Sequence, residues 1–474
     1  MSTTRKIAHN TIAQIIGKII STFLGLLALG MMTRYLPTEQ FGWYVTTIAF
    51  LQFVGILIDF GLIPVTAQML SEPEHDKTEL LNNLFTFRLV TAIFFLAFAP
   101  IIALFFPYPA TVKIAIAFST ISFLAVALNQ ILTGYLQTAF KMHVYAVGEI
   151  IGRIVLIVGL LILIRFGSTF LPIMGMLVLA TVAHTAYLFF SIRQTTPITL
   201  AYNRNLWQGI LRKMWPISIA IIFNVVYLKG DIILLSLYRA QTDVALYGAA
   251  YRVLDIVTQL AMMMMGVMLP LLTFAWSRGL KEDFKRYYQQ AFDALMVFAV
   301  PMMVGTYILS EKIIVLVAGP KYLGAGIALQ LLSIAVFGVF LGAVFGHSAV
   351  ALNRQKQTIW IYASDAILTL CGYLYFIPRF GMVGAAGMTI FSELYAGVLL
   401  FLTIRHYSQT PLQFKTFGKI ILSSVAMGMT ITSLPTLPVL PVIFLGMITY
   451  GAVLLIIKGI SVTTLKEIFS IKSA

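Results

Sequence analysis

The stretch Tyr35-Leu36-Pro37-Thr38-Glu39-Gln40-Phe41-Gly42-Trp43-Tyr44 recurs in outline at Tyr238-Arg239-Ala240-Gln241-Thr242-Asp243-Val244-Ala245-Leu246-Tyr247. Each copy is a short polar loop with a Thr-acid pair, followed by an aromatic residue that opens a long apolar run. Each run then carries one acid, Asp59 or Asp255, and a later proline, Pro64 or Pro270. Apolar runs long enough to cross a bilayer, about 20 residues each, extend outward from both copies. Six lie between Asn10 and Ile192 and six between Met214 and Ile404. A last pair, Phe414 to Leu434 and Leu437 to Ile457, is joined at Pro435-Thr436-Leu437-Pro438. The expected fold is therefore an all-α polytopic membrane protein of about fourteen transmembrane helices. It divides into an N-terminal six-helix lobe (1–192), a basic cytoplasmic linker (193–213), a C-terminal six-helix lobe (214–406) and an accessory helix pair with a short tail (407–474). An even number of helices per repeat gives two halves of the same orientation, a transporter layout with the binding site between them.

Composition agrees. Of 474 residues, 60% are hydrophobic and 10% charged, with a mean hydropathy of +0.94, against about 25% charged in a soluble domain. Soluble, disordered and collagen-like classes are excluded. The one cysteine, Cys371, forms no internal disulfide and supplies no multi-Cys metal site. The six histidines show no metal-ligand spacing, and neither a phosphate-cradling loop nor a nucleophile elbow is present. No cofactor is expected.

The net charge of +15 is explained by where it sits. With an even span count the termini share a side, and most Lys and Arg lie in loops on that side. Only Arg34, Lys113, Arg165, Arg239, Lys312, Lys321 and Arg379 fall on the other. The positive-inside rule then puts both termini in the cytoplasm, and the basic balance requires no nucleic-acid partner. Arg5 and Lys6 before an apolar run superficially resemble a secretory signal, but the run is too long and lacks a small-residue cleavage site, so it reads as a retained first helix.

Ionisable residues inside spans cost about 2.5–3.5 kcal/mol each on insertion scales, so each needs a partner, a wet cavity or an escape to the interface. The bases are Lys18, Arg88, Arg153, Lys229 and Arg252; the acids are Asp59, Glu149, Asp231, Asp255, Asp293, Asp365 and Glu393. Helix one carries the cleanest polar stripe, Asn10, Gln14, Lys18, Ser21 and Gly25, at helical spacing. Gln52, Asp59 and Thr66 continue the pattern in helix two, Asn224 and Asp231 in helix seven, and Arg252, Asp255 and Gln259 in helix eight. These stripes predict a shared central cavity headed by Lys18. Glu149 with Arg153, and Arg252 with Asp255, are spaced to neutralise each other. Arg88 is placed to snorkel to the cytoplasmic interface. Asp293 and Asp365 read as interfacial, whereas Glu393 stands mid-span without a local partner.

The sequence resembles the O-antigen and polysaccharide flippase family, in the multidrug/oligosaccharidyl-lipid/polysaccharide exporter superfamily. The resemblance covers nearly the whole chain. It is carried by the Tyr35 to Tyr44 stretch, Asp59-Phe60-Gly61-Leu62, Gly230-Asp231-Ile232-Ile233-Leu234, Leu246-Tyr247-Gly248-Ala249-Ala250-Tyr251-Arg252 and Leu269-Pro270-Leu271. Further on, Gly319-Pro320-Lys321-Tyr322 and Phe380-Gly381-Met382-Val383-Gly384-Ala385-Ala386-Gly387 follow the same pattern. Leu36-Pro37 departs from the family's usual Leu-Gly-Pro.

The resemblance implies a polyprenyl-diphosphate-linked oligosaccharide as cargo, carried by alternating access to the outer leaflet for cell-surface polysaccharide assembly. Lys18, Lys229, Arg252 and Arg153 would meet the diphosphate. Gln14, Gln52, Asn224 and Gln259 would meet sugar hydroxyls, and Arg34 would assist at the exit. On physical grounds Asp59, Asp255 and Glu393 are candidates for coupling to H+ or Na+. The expected setting is the plasma (inner) membrane, with polysaccharide assembly proteins as further partners. Two other readings stand beside this one. A cation-coupled multidrug antiporter of the same fold would want acids dominating the cavity. A membrane glycosyltransferase or polymerase of the same pathway would want a large extracytoplasmic loop, and none exceeds about fifteen residues.

Overall fold

The computed structural model describes residues 3–59, 62, 66, 69–70 and 76–459, and the side chains at 3–13, 15, 56–59 and 215–229 lie outside that description. Among the described residues the regular elements are thirteen α-helices and one 3-10 segment. They are α1 (Thr3–Tyr35), α2 (Thr38–Asp59), α3 (Lys77–Leu104), α4 (Ala110–Thr138), α5 (Met142–Arg165), α6 (Phe170–Arg193), α7 (Arg204–Tyr238), α8 (Gln241–Ser277), α9 (Lys281–Ala318), the 3-10 segment (Pro320–Ala325), α10 (Gly326–Ala351), α11 (Gln355–Ser408), α12 (Lys415–Thr432) and α13 (Val439–Ile456). Ten of the described helices are long and apolar enough to cross a membrane. The chain is a multi-pass membrane protein. Its exposed side chains include Phe94, Phe98 and Ile101 on α3 and Leu440, Phe444 and Ile448 on α13. Faces of that kind are stable against acyl chains and not against water.

The expected eleventh and twelfth spans form a single 54-residue element, α11, broken at Gly381, whose φ of 58° and ψ of −133° are non-helical. A positive φ of this kind is open to glycine at little cost, so the chain bends there. α12, 18 residues opening on Lys415 and Lys419, is not among the ten helices long and apolar enough to cross.

The polar stretch 193–213 is shorter as a connection than its composition suggests, because α6 continues to Arg193 and α7 begins at Arg204. Asn203 caps α7, its side chain accepting from the backbone N–H groups of Asn205 and Leu206 at 3.0 and 3.4 Å. Asn82 and Asn83 of α3 hold the intervening segment: Asn82 accepts from Thr199 N–H at 3.1 Å and Asn83 from Asn203 N–H at 2.7 Å. Three asparagines thus satisfy the backbone of an irregular segment that would otherwise leave its donors unpaired.

The chain forms two compact units, Met1–Ala245 and Leu246–Ala474. In the first, α1 packs on α5, α5 on α6, α4 on α3 and α6, and α2 on α4 and α7. Small residues permit the close approaches: Gly17 of α1 lies directly on Ala146 of α5, and Gly152 of α5 lies against Ala180 and His184 of α6. Apolar surface has no drive to leave a lipid environment, so close van der Waals packing of this kind carries helix association. In the second unit α10 packs between α9 and α11, with α12 and α13 against α9. There Gly338 of α10 abuts the backbone at Glu393 of α11. Lys312 of α9 donates to the carbonyls of Pro435 and Leu437 at 2.7 and 3.1 Å, fixing the turn between α12 and α13.

Two intramembrane charges depart from the sequence reading. Arg88 does not snorkel: it is 1% exposed, donating from Nε to the Ala127 carbonyl at 3.3 Å and from Nη2 to Gln130 on α4. Packing of α3 on α4 offers this guanidinium two acceptors nearer than the interface. Asp365 is not interfacial either. It is fully buried, with its two carboxylate oxygens accepting from Thr369 and Ser392, each at 2.9 Å. The two hydroxyls supply the partners that water would provide at an interface.

Candidate functional site

A cavity of ≈ 410 Å³ opens within the first unit, walled by α4, α5 and α6. The α4 wall is a ladder of amides and hydroxyls, Asn129, Gln130, Thr133 and Gln137; α5 contributes Tyr145, Glu149 and Arg153, and α6 contributes Thr181 and His184. Spacings of three and four place the α4 residues on one face of the helix.

The α1 stripe meets this cavity from behind α5. Lys18 Nζ lies 3.5 Å from Glu149 Oε1, with the lysine side chain 36% exposed and the carboxylate 11%. One turn further along, Arg153 Nε donates to Ser21 Oγ at 3.5 Å. A Cβ on Gly25 would stand 3.5 Å from the Arg153 guanidinium carbon. Lys18, Ser21 and Gly25 therefore serve in sequence as partner, acceptor and clearance for the two charged residues of α5.

The expected neutralisation of Arg153 by Glu149 does not occur. Among the described residues no carboxylate oxygen comes within 4.0 Å of the Arg153 guanidinium. Glu149 turns to Lys18 because the close α1–α5 packing brings the ammonium nearer than the same-helix arginine. Arg153 and Glu149 line the cavity and Lys18 is the carboxylate's partner, leaving an excess positive charge at Arg153. At an effective dielectric constant of about 20, a unit charge 4 Å from an anionic ligand is worth about 4 kcal/mol, and a planar guanidinium can hold a phosphate through two parallel hydrogen bonds.

The polar ladder of α4, with Tyr145 and His184, escaped the sequence reading. Its signal was present as Asn129, Thr133 and Gln137 at steps of four. Uncharged, these residues carry less weight in a search for intramembrane charges. Asn129 is 7% exposed, and its amide nitrogen lies 3.4 Å from His184 Nδ1. Behind the ladder, Arg88 fixes Gln130.

The remaining predicted residues are placed as follows. Gln14 on α1 is exposed and Gln52 on α2 half-buried. Arg34 is exposed in the last turn of α1, where it donates to the Gly30 carbonyl at 3.1 Å. In the second unit Arg252 and Asp255 form an i,i+3 pair at 3.6 Å, with side chains 41% and 31% exposed. Gln259 lies one turn beyond, half-buried. Glu393 is on α11, beside Ser392 and against Gly338. The side chains of Asp59, Asn224 and Lys229 lie outside the described residues.

A family profile described as "Polysaccharide biosynthesis protein" matches residues 7–276, more than half of the chain and the whole of this cavity. The chain belongs to the polysaccharide biosynthesis protein family. This family lies within the multidrug/oligosaccharidyl-lipid/polysaccharide exporter superfamily, and a second profile of that superfamily, MatE, matches residues 216–378. Among curated proteins, this family member is similar to an uncharacterized membrane protein of Methanocaldococcus jannaschii, 22% identical over 263 residues, and spans about half of it (54% of this chain, 52% of that protein). It is also similar to the probable low-salt glycan biosynthesis flippase Agl15 of Haloferax volcanii, 21% identical with 98% of each chain covered. Among solved structures, the lipid II flippase MurJ in an inward closed conformation superposes with a TM-score of 0.76 at 17% identity, covering 94% of this chain and 99% of that one. This likeness establishes the fold, two lobes of transmembrane helices.

Proposed function

We propose that the chain is a flippase that moves a polyprenyl-diphosphate-linked oligosaccharide from the cytoplasmic to the outer leaflet. The observation that carries this reading is Arg153: a cation without a carboxylate partner among the described residues, on a cavity whose wall combines amides and hydroxyls with Glu149, His184 and apolar residues such as Val126, Leu156 and Leu177. A diphosphate joined to a sugar is the matching chemistry, anionic at one end and rich in hydroxyls at the other. The near full-length similarity to a probable glycan biosynthesis flippase supports it.

In this reading Arg153 and Lys18 receive the diphosphate, Glu149 releasing Lys18 as the stronger anion arrives. Arg252 assists from the second unit, and Lys229 from the expected C-terminal lobe. Amides at Gln14, Gln52, Asn224 and Gln259 meet sugar hydroxyls, Arg34 assists at the exit, and the prenyl tail stays in lipid. Transport proceeds by alternating access without covalent chemistry, so the protein is a transporter and not an enzyme. Its setting is the plasma membrane with both termini cytoplasmic, where it works with polysaccharide assembly proteins. Coupling to H+ or Na+ through Asp59, Asp255 or Glu393 is part of the proposal.

A second reading, a cation-coupled multidrug antiporter, is favoured by the MatE match over residues 216–378. Cells whose only copy carries Lys18→Ala and Arg252→Ala separate the two. Loss of surface glycan with unchanged tolerance of cationic drugs supports the flippase. Drug sensitivity with intact surface glycan supports the antiporter.

A further inference from the structure

Arg88 is not part of the cavity lining, yet it holds one wall of it. The side chain is buried in α3, and Leu84 and Ala92, one turn to either side, belong to the apolar core. Stability alone is a weak reason for a guanidinium there, since an apolar side chain of similar volume packs such a place at least as well. Its donors reach α4. Arg88 Nε donates to the Ala127 carbonyl at 3.3 Å and Nη2 donates to Gln130 Oε1, and Gln130 lines the cavity.

This contact decides which way the Gln130 amide points. Arginine only donates, so the carbonyl end of the amide faces it and the NH2 end is turned away. Gln130 Nε2 makes no hydrogen bond among the described residues and is not among the atoms sealed from solvent. A glutamine free to turn over offers either end to a ligand, and a hydroxyl, which both donates and accepts, is served by either. A phosphate oxygen only accepts and is served by the N–H end alone. Holding the amide in one orientation therefore matters to an anion. The guanidinium also polarises the amide it holds, which strengthens the N–H groups as donors. Arg153 of α5 lines the same cavity, so a directed amide and a cation open on one space.

We propose that Arg88 is a positioning residue for an anionic cargo: by taking the Gln130 carbonyl oxygen it turns the amide N–H groups into the cavity, where Gln130 joins Arg153 as a second donor. The proposal rests on the flippase reading. It adds that a residue which never touches cargo sets the affinity for the charged head.

The test is isothermal titration of the purified full-length protein in detergent with farnesyl diphosphate, alongside melting curves for every variant. Arg88→Met and Gln130→Met should each weaken binding about tenfold, the worth of one hydrogen bond to a charged group. The double variant should be no weaker than either single one, because both changes remove the same donor. Arg88→Lys, whose ammonium still donates to the Gln130 carbonyl oxygen, should keep most of the affinity. A lowered melting temperature with unchanged affinity makes Arg88 structural only and overturns the proposal, as do losses that add in the double variant. Either result leaves the flippase reading standing, whereas failure of the wild type to bind farnesyl diphosphate overturns both. Should the methionine variants unfold, Arg88→Gln decides. That side chain can bond Gln130 at either end, so the amide is no longer directed and affinity should fall; unchanged affinity overturns the proposal.

Discussion

Lys18 and Glu149, 131 positions apart in the chain, meet at 3.5 Å across the α1–α5 interface. The contact releases Arg153, four residues on, from the same-helix partner that its spacing suggests. A pair formed between helices thereby determines the charge that the cavity offers. The coupling is measurable: in a double-mutant cycle of Lys18→Met and Glu149→Gln, thermal unfolding in detergent should give an interaction energy of about 0.5–3 kcal/mol. Strict additivity would show that the two side chains do not interact.

Arg153→Ala should slow transport of a diphosphate-linked cargo about 10- to 100-fold, the loss expected for one charge-assisted hydrogen-bonding group at about 1.5–3 kcal/mol. Arg153→Lys should recover only part, because an ammonium lacks the planar fork that binds a phosphate through two donors. Initial rates in reconstituted vesicles check both, and full recovery by lysine would argue against bidentate recognition.

Glu149→Gln removes the anion while keeping the volume. Lys18 then stands free for the headgroup, and binding of farnesyl diphosphate should tighten several-fold, read by titration calorimetry at low salt. Weaker binding would mean that Glu149 positions Lys18 productively instead of competing for it.

Arg88 and Asp365 show the limit of reading charge by depth along a helix. Depth alone suggests the interface for both. Whether a buried charge stays buried depends on acceptors and donors that a neighbouring helix brings, here the Ala127 carbonyl and Gln130 for Arg88 and Ser392 for Asp365. The spans themselves were plain from apolar runs, since a bilayer imposes length and composition directly. The stripe Lys18, Ser21, Gly25 was equally legible from its spacing. The Asn129, Thr133, Gln137 ladder was missed because it is uncharged, and the partner of Glu149 was missed because helix pairing is set by where Gly17 and Ala146 fit together.

Asp365 supports the second unit. Asp365→Ala should lower stability by about 1–3 kcal/mol by orphaning the hydroxyls of Thr369 and Ser392, and Asp365→Asn should lower it less. Melting curves in detergent measure the difference, and an unchanged midpoint for Asp365→Ala would show that the carboxylate does no structural work.

Gly42 and Gln241 bring the two repeated stretches together. The Gly42 Cα lies against the Gln241 backbone with no room for a side chain, and Thr46 Oγ1 donates to Gln241 Oε1 at 2.7 Å. Gly42→Leu should overpack this contact at a cost of about 1–3 kcal/mol and lower transport with it. Thr46→Val, which removes only the hydrogen bond, should have a smaller effect. A stable, fully active Gly42→Leu protein would show that the contact is dispensable.

The central claim is that this family member moves a diphosphate-linked glycan across a bilayer, and the decisive measurement is translocation in proteoliposomes. Fluorescent polyprenyl-diphosphate oligosaccharides are placed in one leaflet, and their appearance in the other is followed with a membrane-impermeant quencher. Protein-dependent transfer of at least one such lipid, lost on Arg153→Ala, is the predicted result. Transfer no faster than in protein-free vesicles across a range of glycans would contradict the account.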